Sequence, residues 1–334
     1  MHSVLVIGCG SIGERHLRCF QATKRTLVTA CDSNPALLAR MAEVYRVPTV
    51  ADASAALQSE YDAVVICTPA HLHIPMATRA IDSGKHVLVE KPLSQSLAGL
   101  PELFRARARS QMQVAVAYVM HVYPFMRAAK EFLDSGEFGP VLHASVTAGQ
   151  PFHVFRPAYS QTYYRDHRTG GGGIQDALTH LANWTEGVIG PADSVYCDCA
   201  HLALPNVEVE DTVTAVARHG RTLASYSLNQ FQAPNESTLQ FNTAQGSVRV
   251  EIHHQRWGKY RMGDPGWTWH SSAPIERDTH FIDQADAFLD QIEGRPSRLC
   301  TLEAAAQTLR FNLAMLASAG RGARVSCQEN FPDV

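Results

Sequence analysis

With 334 residues the chain has room for two domains of ordinary size. Its residues are 45% apolar and 18% charged, with no low-complexity tract, which excludes a disordered or fibrous chain. A formal charge of −3 without any basic block argues against nucleic acid as a partner, and no apolar run is long enough to span a membrane.

His2–Ile7 is a short apolar run (Val4, Leu5, Val6, Ile7) that predicts a buried strand. Gly8-Cys9-Gly10-Ser11-Ile12-Gly13 follows at once, a helix opens at Glu14, and a second apolar stretch, Leu27–Cys31, ends on Asp32. Strand, glycine loop, helix, strand and terminal acid in this order form the dinucleotide-binding fingerprint. Gly8 makes the tight turn, Gly10 leaves room for a pyrophosphate against the backbone, and Gly13 lets helix and strand pack closely. The helix N-terminus offers N–H groups and partial positive charge to the phosphates. Asp32 is placed to accept hydrogen bonds from the adenosine ribose hydroxyls. It would repel a 2′-phosphate, so NAD is expected rather than NADP.

The rest of the first half alternates. Asn34 caps a helix with Pro35 at its first position, running to about Tyr45. Ser54–Gln58 suggests a short helix, Tyr61–Cys67 a strand, Ile74–Ser83 a helix, His86–Val89 a strand, Leu97–Ser110 a helix and Val114–Tyr118 a strand. Short continuous apolar strands between helices mean a parallel sheet covered on both faces. Beyond Val122 the texture changes. A helix near Pro124–Ser135 and a strand at Val141–Ala148 precede an aromatic and basic loop, Pro151–Arg168, then Gly170–Gly173 and a helix over Ile174–Val188. Alternating runs at Ser194–Leu204, Asp211–Arg218, Leu223–Gln230, Ser237–Thr243 and Val248–His254 predict an antiparallel sheet with one buried face. Closing helices at His280–Glu293 and Leu302–Ala319 are expected to cover it. The fold expected is an α/β Rossmann domain with a parallel doubly wound sheet (1–120), then an α+β domain with a large, mainly antiparallel open sheet (121–334). The eight cysteines are scattered and read as reduced thiols in a cytoplasmic protein. Cys197 and Cys199 share a strand face, but no second pair completes a zinc site, and no metal is expected.

The glycine loop, Thr68-Pro69 with His73, and Gly84-Lys85-His86-Val87-Leu88-Val89-Glu90-Lys91-Pro92 resemble the glucose–fructose oxidoreductase/inositol dehydrogenase (Gfo/Idh/MocA) family. So do Gly136-Glu137-Phe138-Gly139-Pro140-Val141, the glycines before Asp176 and His180, and Gln245-Gly246-Ser247. The resemblance spans nearly the whole chain, with Glu90-Lys91-Pro92 as its most specific mark. It implies an NAD(P)-dependent dehydrogenase of sugars or cyclitols, with Ser11, Ile12, Thr68, Pro69, His71, His73, Glu90 and Lys91 joining Gly8, Gly10, Gly13 and Asp32 around the cofactor. It also implies a cis Lys91–Pro92 peptide.

Lys91 ends a parallel strand, where open α/β sheets bind ligands, and an ammonium there can stabilise charge developing on a reacting oxygen. Asp176 and His180 are four apart in a predicted helix and share a face; imidazole is the natural general base near neutral pH. Metal ligation by that pair lacks a third ligand at helical spacing, and a core histidine is the other reading. The resemblance places both residues in the substrate pocket, with the histidine as proton acceptor. The family's usual second acid is Asn183 here. Arg156, Tyr159 and Tyr164 in the aromatic loop suit an anion and sugar faces, or a subunit contact. The expectation is oxidation of a secondary hydroxyl of a sugar, sugar acid or cyclitol by hydride transfer to the nicotinamide. Transient oxidation in a net non-redox reaction and a non-catalytic NAD(P) sensor are the alternatives. A homodimer or homotetramer through the C-terminal sheet is expected, because that sheet needs its second face covered; Cys197, Cys199, Ala215 and Tyr226 are candidates for the contact.

Overall fold

The computed structural model describes residues 1–273 and 275–331. The chain forms two compact units. The first holds Met1–Ser94, Ala98–Val122 and Ile275–Leu302; the second holds Gln95–Leu97 with the described residues of 123–274 and 303–334.

The first unit opens with β1 (His2–Ile7), α1 (Ser11–Ala22), β2 (Thr26–Cys31), α2 (Pro35–Tyr45), β3 (Thr49–Val50) and α3 (Ala53–Leu57). It continues with β4 (Ala63–Ile66), α4 (His73–Asp82), β5 (His86–Val89), α5 (Leu100–Arg109) and β6 (Val114–Val116). Val4–Ile7 and Ala63–Ile66 are buried along their whole length, as strands covered on both faces must be. The order β6-β5-β4-β1-β2-β3 is parallel throughout, and the direction of winding reverses between β1 and β4. The Asn34 side chain accepts from the Ala36 amide at 3.0 Å and caps α2, with Pro35 as the first helical residue.

In the second unit come α6 (Pro124–Asp134), β7 (His143–Pro151), α7 (Phe152–Phe155), a π-helical turn at Ile174–Leu178 and α8 (Thr179–Ile189). Next are β8 (Ser194–Ala200), β9 (Thr212–His219), β10 (Thr222–Asn229), β11 (Phe231–Asn242), β12 (Gly246–Glu251), β13 (Arg256–Arg261) and β14 (Thr268–Ser271). The chain then runs through α9 (Arg277–Ile292), β15 (Cys300–Thr301), α10 (Leu302–Arg321) and β16 (Val325–Ser326). The nine-stranded order is β14-β13-β12-β11-β7-β10-β9-β8-β16, antiparallel except where β7 lies parallel to β10. Trp184 of α8 meets Phe241 edge-on at 5.7 Å and Phe311 of α10 meets Tyr226 at 5.3 Å, so these two helices cover one face.

Three expectations are corrected. The helix at Arg277–Ile292 does not cover the antiparallel sheet; it belongs to the first unit and packs on α1. The cause is complementary: α1 presents His16 and Phe20, met by Phe281 and Phe288, and Arg15 and Arg18 pair with Asp278 at 3.1 and 2.6 Å. The residues proposed for a subunit contact are also on the wrong face. Cys197, Ala215 and Tyr226 are buried beneath the helices, and alternation instead exposes Tyr196, Val216 and Leu223. Third, strands β13 and β14 and the two-residue strands β3, β15 and β16 were not anticipated. β15 adds an antiparallel edge to the first sheet, pairing Cys300 with Val116.

Candidate active site

The glycine loop separates into two kinds of position. Gly8 has φ +91°, and a Cβ there would lie 2.7 Å from the Cys67 carbonyl oxygen. A Cβ on Gly13 would lie 1.7 Å from the Gly8 carbonyl oxygen. Both glycines are demanded by the packing of the loop on β1 and β4. Gly10 has nothing within 4 Å of its Cβ position and precedes α1 without any side-chain cap, so the first-turn N–H groups open onto unfilled space. Ser11 is exposed and Ile12 half-buried at the same turn. At the end of β2, Asp32 accepts from the Cys9 amide at 2.7 Å and from the Asn34 amide at 2.8 Å. These bonds aim the carboxylate across the mouth of the loop. The residues present therefore fit a dinucleotide: a phosphate cradle over a helix N-terminus and an acid one strand away.

Two further strand ends border this region. After β4, Thr68 and His71 lie beside exposed Pro69 in the turn leading to α4. His73 is buried, with Nε2 2.7 Å from the Thr68 carbonyl oxygen and Nδ1 2.9 Å from that of Pro92. Burial lowers its pKa, and the two carbonyls only partly oppose this. Its ring thus ties the β4 turn to the β5 turn instead of offering itself to a ligand. After β5, Glu90 is buried and its carboxylate is turned inward. Oε1 meets His16 Nε2 at 2.7 Å and Oε2 accepts from the Lys91 amide at 3.0 Å. Burial pushes the Glu90 pKa up, but the His16 hydrogen bond and the charges of His16 and Lys91 outweigh it, leaving the group below the usual value. Any contact of Glu90 with a nucleotide is left to its backbone. Lys91 is half-buried at the carboxyl end of β5, and the Lys91–Pro92 peptide is cis.

In the second unit, Asp176 sits in the π-helical turn and His180 in the first turn of α8, both half-buried. The predicted helix was a regular α-helix over Ile174–Val188. The observed i→i+5 turn, a rare form that concentrates at functional sites, holds Asp176 and ends just before His180. The entry to this helix is built around Glu210, which is buried. Its Oε1 accepts from the Ile174 amide at 2.8 Å, its Oε2 meets His167 Nε2, and its backbone carbonyl accepts from Gly173 at 2.8 Å. The Glu210 hydrogen bond raises the His167 pKa against the opposing effect of burial. A Cβ on Gly172 would strike the Glu210 carboxylate at 2.5 Å, which explains why the chain is glycine there.

The aromatic loop divides differently from the sequence expectation. Tyr159 and Tyr164, expected to contact substrate, are buried in an apolar cluster with Phe152, Leu204, Val207 and Val209. The Tyr159 hydroxyl donates to the Pro205 carbonyl at 2.6 Å, and the Phe152 and Tyr164 rings lie 4.5 Å apart. Their aromatic surface is used to hold the loop. Arg156 is exposed just beyond α7. Tyr163, between these residues, donates to Asp176 Oδ1 at 2.7 Å and joins the candidate site. Only its place in the aromatic loop pointed to it; the pairing is a tertiary fact. Asn183 is turned to α10, donating to Thr308 Oγ1 at 2.9 Å.

Comparisons with known proteins agree with this architecture. The model of the oxidoreductase family with an NAD-binding Rossmann fold (Gfo/Idh/MocA) matches residues 2–118, and that of the Gfo/Idh/MocA C-terminal domain matches residues 126–253. An oxidoreductase, P35, from Formosa agariphila is 31% identical over 52% of this chain and 56% of its own length. A D-xylose 1-dehydrogenase [NADP(+)] from Haloarcula marismortui is 29% identical over 69% of this chain and 64% of its own. The match thus spans little more than half the length of these relatives. A solved levoglucosan dehydrogenase, in complex with NADH and levoglucosan, superposes with a TM-score of 0.87 at 20% identity, covering 98% of this chain and all of that one. Glycine loop, strand-end lysine and both domain matches together make this chain a member of the Gfo/Idh/MocA oxidoreductase family, with an NAD-binding Rossmann fold at its N-terminus.

Proposed function

We propose that the protein is an NAD-dependent dehydrogenase that oxidises a secondary hydroxyl of a sugar, sugar acid or cyclitol. The observation that supports this most is the convergence at one sheet edge. The glycine loop after β1, the turn after β4 and Lys91 after β5 follow the carboxyl ends of three adjacent parallel strands, beside the point where winding reverses. Open α/β sheets bind their ligands there. Gly10 and the N-terminus of α1 would hold the pyrophosphate, Asp32 the adenosine ribose, and the bound cofactor would supply the hydride acceptor.

The remaining roles belong to side chains. Lys91 donates a hydrogen bond to the substrate oxygen and stabilises its developing negative charge. His180 takes the hydroxyl proton. Asp176, held by the Tyr163 hydroxyl, orients the imidazole and balances its charge once protonated. Arg156, on the exposed part of the loop, suits a substrate that carries an acid. Assembly as a homodimer or homotetramer through the open face of the second sheet belongs to the same proposal.

The test is formation of NADH with a panel of sugars, sugar acids and cyclitols, followed by single-turnover hydride transfer in variants. His180→Ala should slow the step by roughly 10²–10⁴-fold while NAD binding survives. Lys91→Ala should be comparably severe, and the double variant should cost far less than the product of the two, as for groups serving one reaction. A His180→Ala rate within a few-fold of the parent would remove the assigned base. NADP binding as tight as NAD would remove the role given to Asp32.

A further inference from the structure

The turn between β12 and β13 gathers a second set of chemical groups, independent of the dehydrogenase reading. Glu251 closes β12, Ile252–His254 form a 3-10 turn, and Gln255 takes φ +48° to start the return strand. Glu251 is still extended, and the tight turn that follows brings His253 and His254 back beside its carboxylate. The result is one carboxylate and two imidazoles whose potential ligand atoms all lie within 4.8 Å of one another. Among the described residues, no other group of three His, Cys, Asp or Glu side chains is gathered this way.

The surroundings already orient two of the three groups. His253 Nδ1 is 3.1 Å from the Ser237 carbonyl oxygen. The Ser237 amide also donates to this Nδ1 at 3.1 Å, so a metal at Nε2 selects the tautomer whose Nδ1 proton goes to the carbonyl instead, the arrangement found behind metal-bound histidines. Arg256 meets Glu251 through Oε2 alone, at 2.7 Å from Nε and 2.6 Å from an Nη, and its guanidinium rests 4.0 Å from the Trp269 ring centroid. The carboxylate is thereby held in place while Oε1 keeps its lone pairs. The ring centroids of His253 and His254 are 4.3 Å apart at 49°, converging rather than stacked.

We propose that Glu251, His253 and His254 bind a divalent transition-metal ion of the zinc type through one carboxylate oxygen and two imidazole nitrogens, with water completing the shell. Two imidazoles exclude magnesium and calcium, which take oxygen ligands. Tetrahedral zinc, with ligands at about 2.0–2.1 Å, sets neighbouring ligand atoms about 3.4 Å apart. The approach this requires is a side-chain rotation, and His254 is exposed and able to make it. The positive charge of Arg256 on the far oxygen lowers the affinity below that of a closed structural site, to the micromolar range.

The experiment is titration of the tag-free full chain with Zn²⁺ by calorimetry, with Co²⁺ absorption as a report on ligand geometry. One equivalent should bind, and unfolding should shift to higher temperature with added zinc. His253→Ala and His254→Ala should each weaken binding at least tenfold, whereas Cys199→Ser should leave it unchanged, separating this site from the free thiols. His254 is exposed, so its truncation leaves the core intact; unfolding in EDTA and NAD binding, measured on each variant, verify the fold. Absence of a stoichiometric site, or a site that persists in the double histidine variant, would overturn the proposal.

Discussion

At the scale of single residues, buried carboxylates separate into two kinds. Glu90 is held ionised against its burial by His16, so its contribution is present at neutral pH and lost as pH falls through its lowered folded value. Among the described residues, Glu186 on α8 has no cation beside it. Thr308, the Ala192 amide and Gln307 donate to it at 2.7, 3.1 and 3.2 Å, but burial dominates and raises its pKa from 4.5 to about 7. Folding then favours the protonated acid, so this group costs nothing below pH 4.5, and stability falls as pH rises from there through about 7. A shift of that size is worth about 3 kcal/mol. Glu186→Gln should therefore flatten the stability profile between pH 5 and 8 and stabilise the protein at pH 8. Thr308 can reverse its hydroxyl, accepting from the new amide and from Asn183 while donating to the Ala304 carbonyl at 3.2 Å. Chemical denaturation at several pH values checks this; an unchanged slope refutes it.

At the scale of elements, the glycine loop makes a sharper prediction than its motif alone. Gly13→Ala forces a Cβ onto backbone that cannot retreat, and should cost several kcal/mol or abolish soluble expression. Gly10→Ala has ordinary dihedrals (φ −66°, ψ −171°) and open space, so it should fold with stability within about 1 kcal/mol of the parent. Its methyl group would occupy the space left for phosphate, and NAD affinity should drop at least tenfold. Thermal unfolding and NAD titration of the two variants read these effects separately. Equal loss of stability in both would mean that Gly10 also serves packing. The helices carry a related lesson. α2 follows its Asn34 cap, and α1 and α6 their apolar spacing, because local signals and tertiary demand coincide. The π-helical turn at Ile174–Leu178 does not, since one inserted residue leaves no mark in an apolar pattern that fits an α-helix equally well.

At the scale of the molecule, one face of the nine-stranded sheet carries no helix among the described residues. Tyr196 and Val216 are paired across β8 and β9 on that face, with Leu223 on β10, each close to half exposed. The proposed homo-oligomer would bury this apolar set. A homodimer or homotetramer is the expected state in light scattering at micromolar concentration. Val216→Glu should shift it towards monomer without loss of the fold, and a monomeric parent would remove the oligomer from the proposal. Among the described residues no helix is long and apolar enough to cross a membrane.

Local sequence determined the elements that local chemistry can specify. The strand, glycine loop, strand and Asp32 are legible because their order and spacing are local, even though the steric demand on Gly8 comes from the distant Cys67. Asn34-Pro35 starts a helix through its own side chain, and the alternation in β9 declares a half-covered strand. The tertiary structure decided whatever depended on a distant partner. Arg277–Ile292 is an amphipathic helix that suits either sheet, and only its tertiary partners, the rings of His16 and Phe20 and the guanidiniums of Arg15, Arg18 and Arg25, assign it to the first unit. Tyr159, Tyr163 and Tyr164 are chemically alike in sequence, yet two are buried with Phe152 and one binds Asp176, because loop packing selects which rings turn inward. Two-residue strands such as Cys300–Thr301 hold no periodicity and exist because an edge was there to receive them.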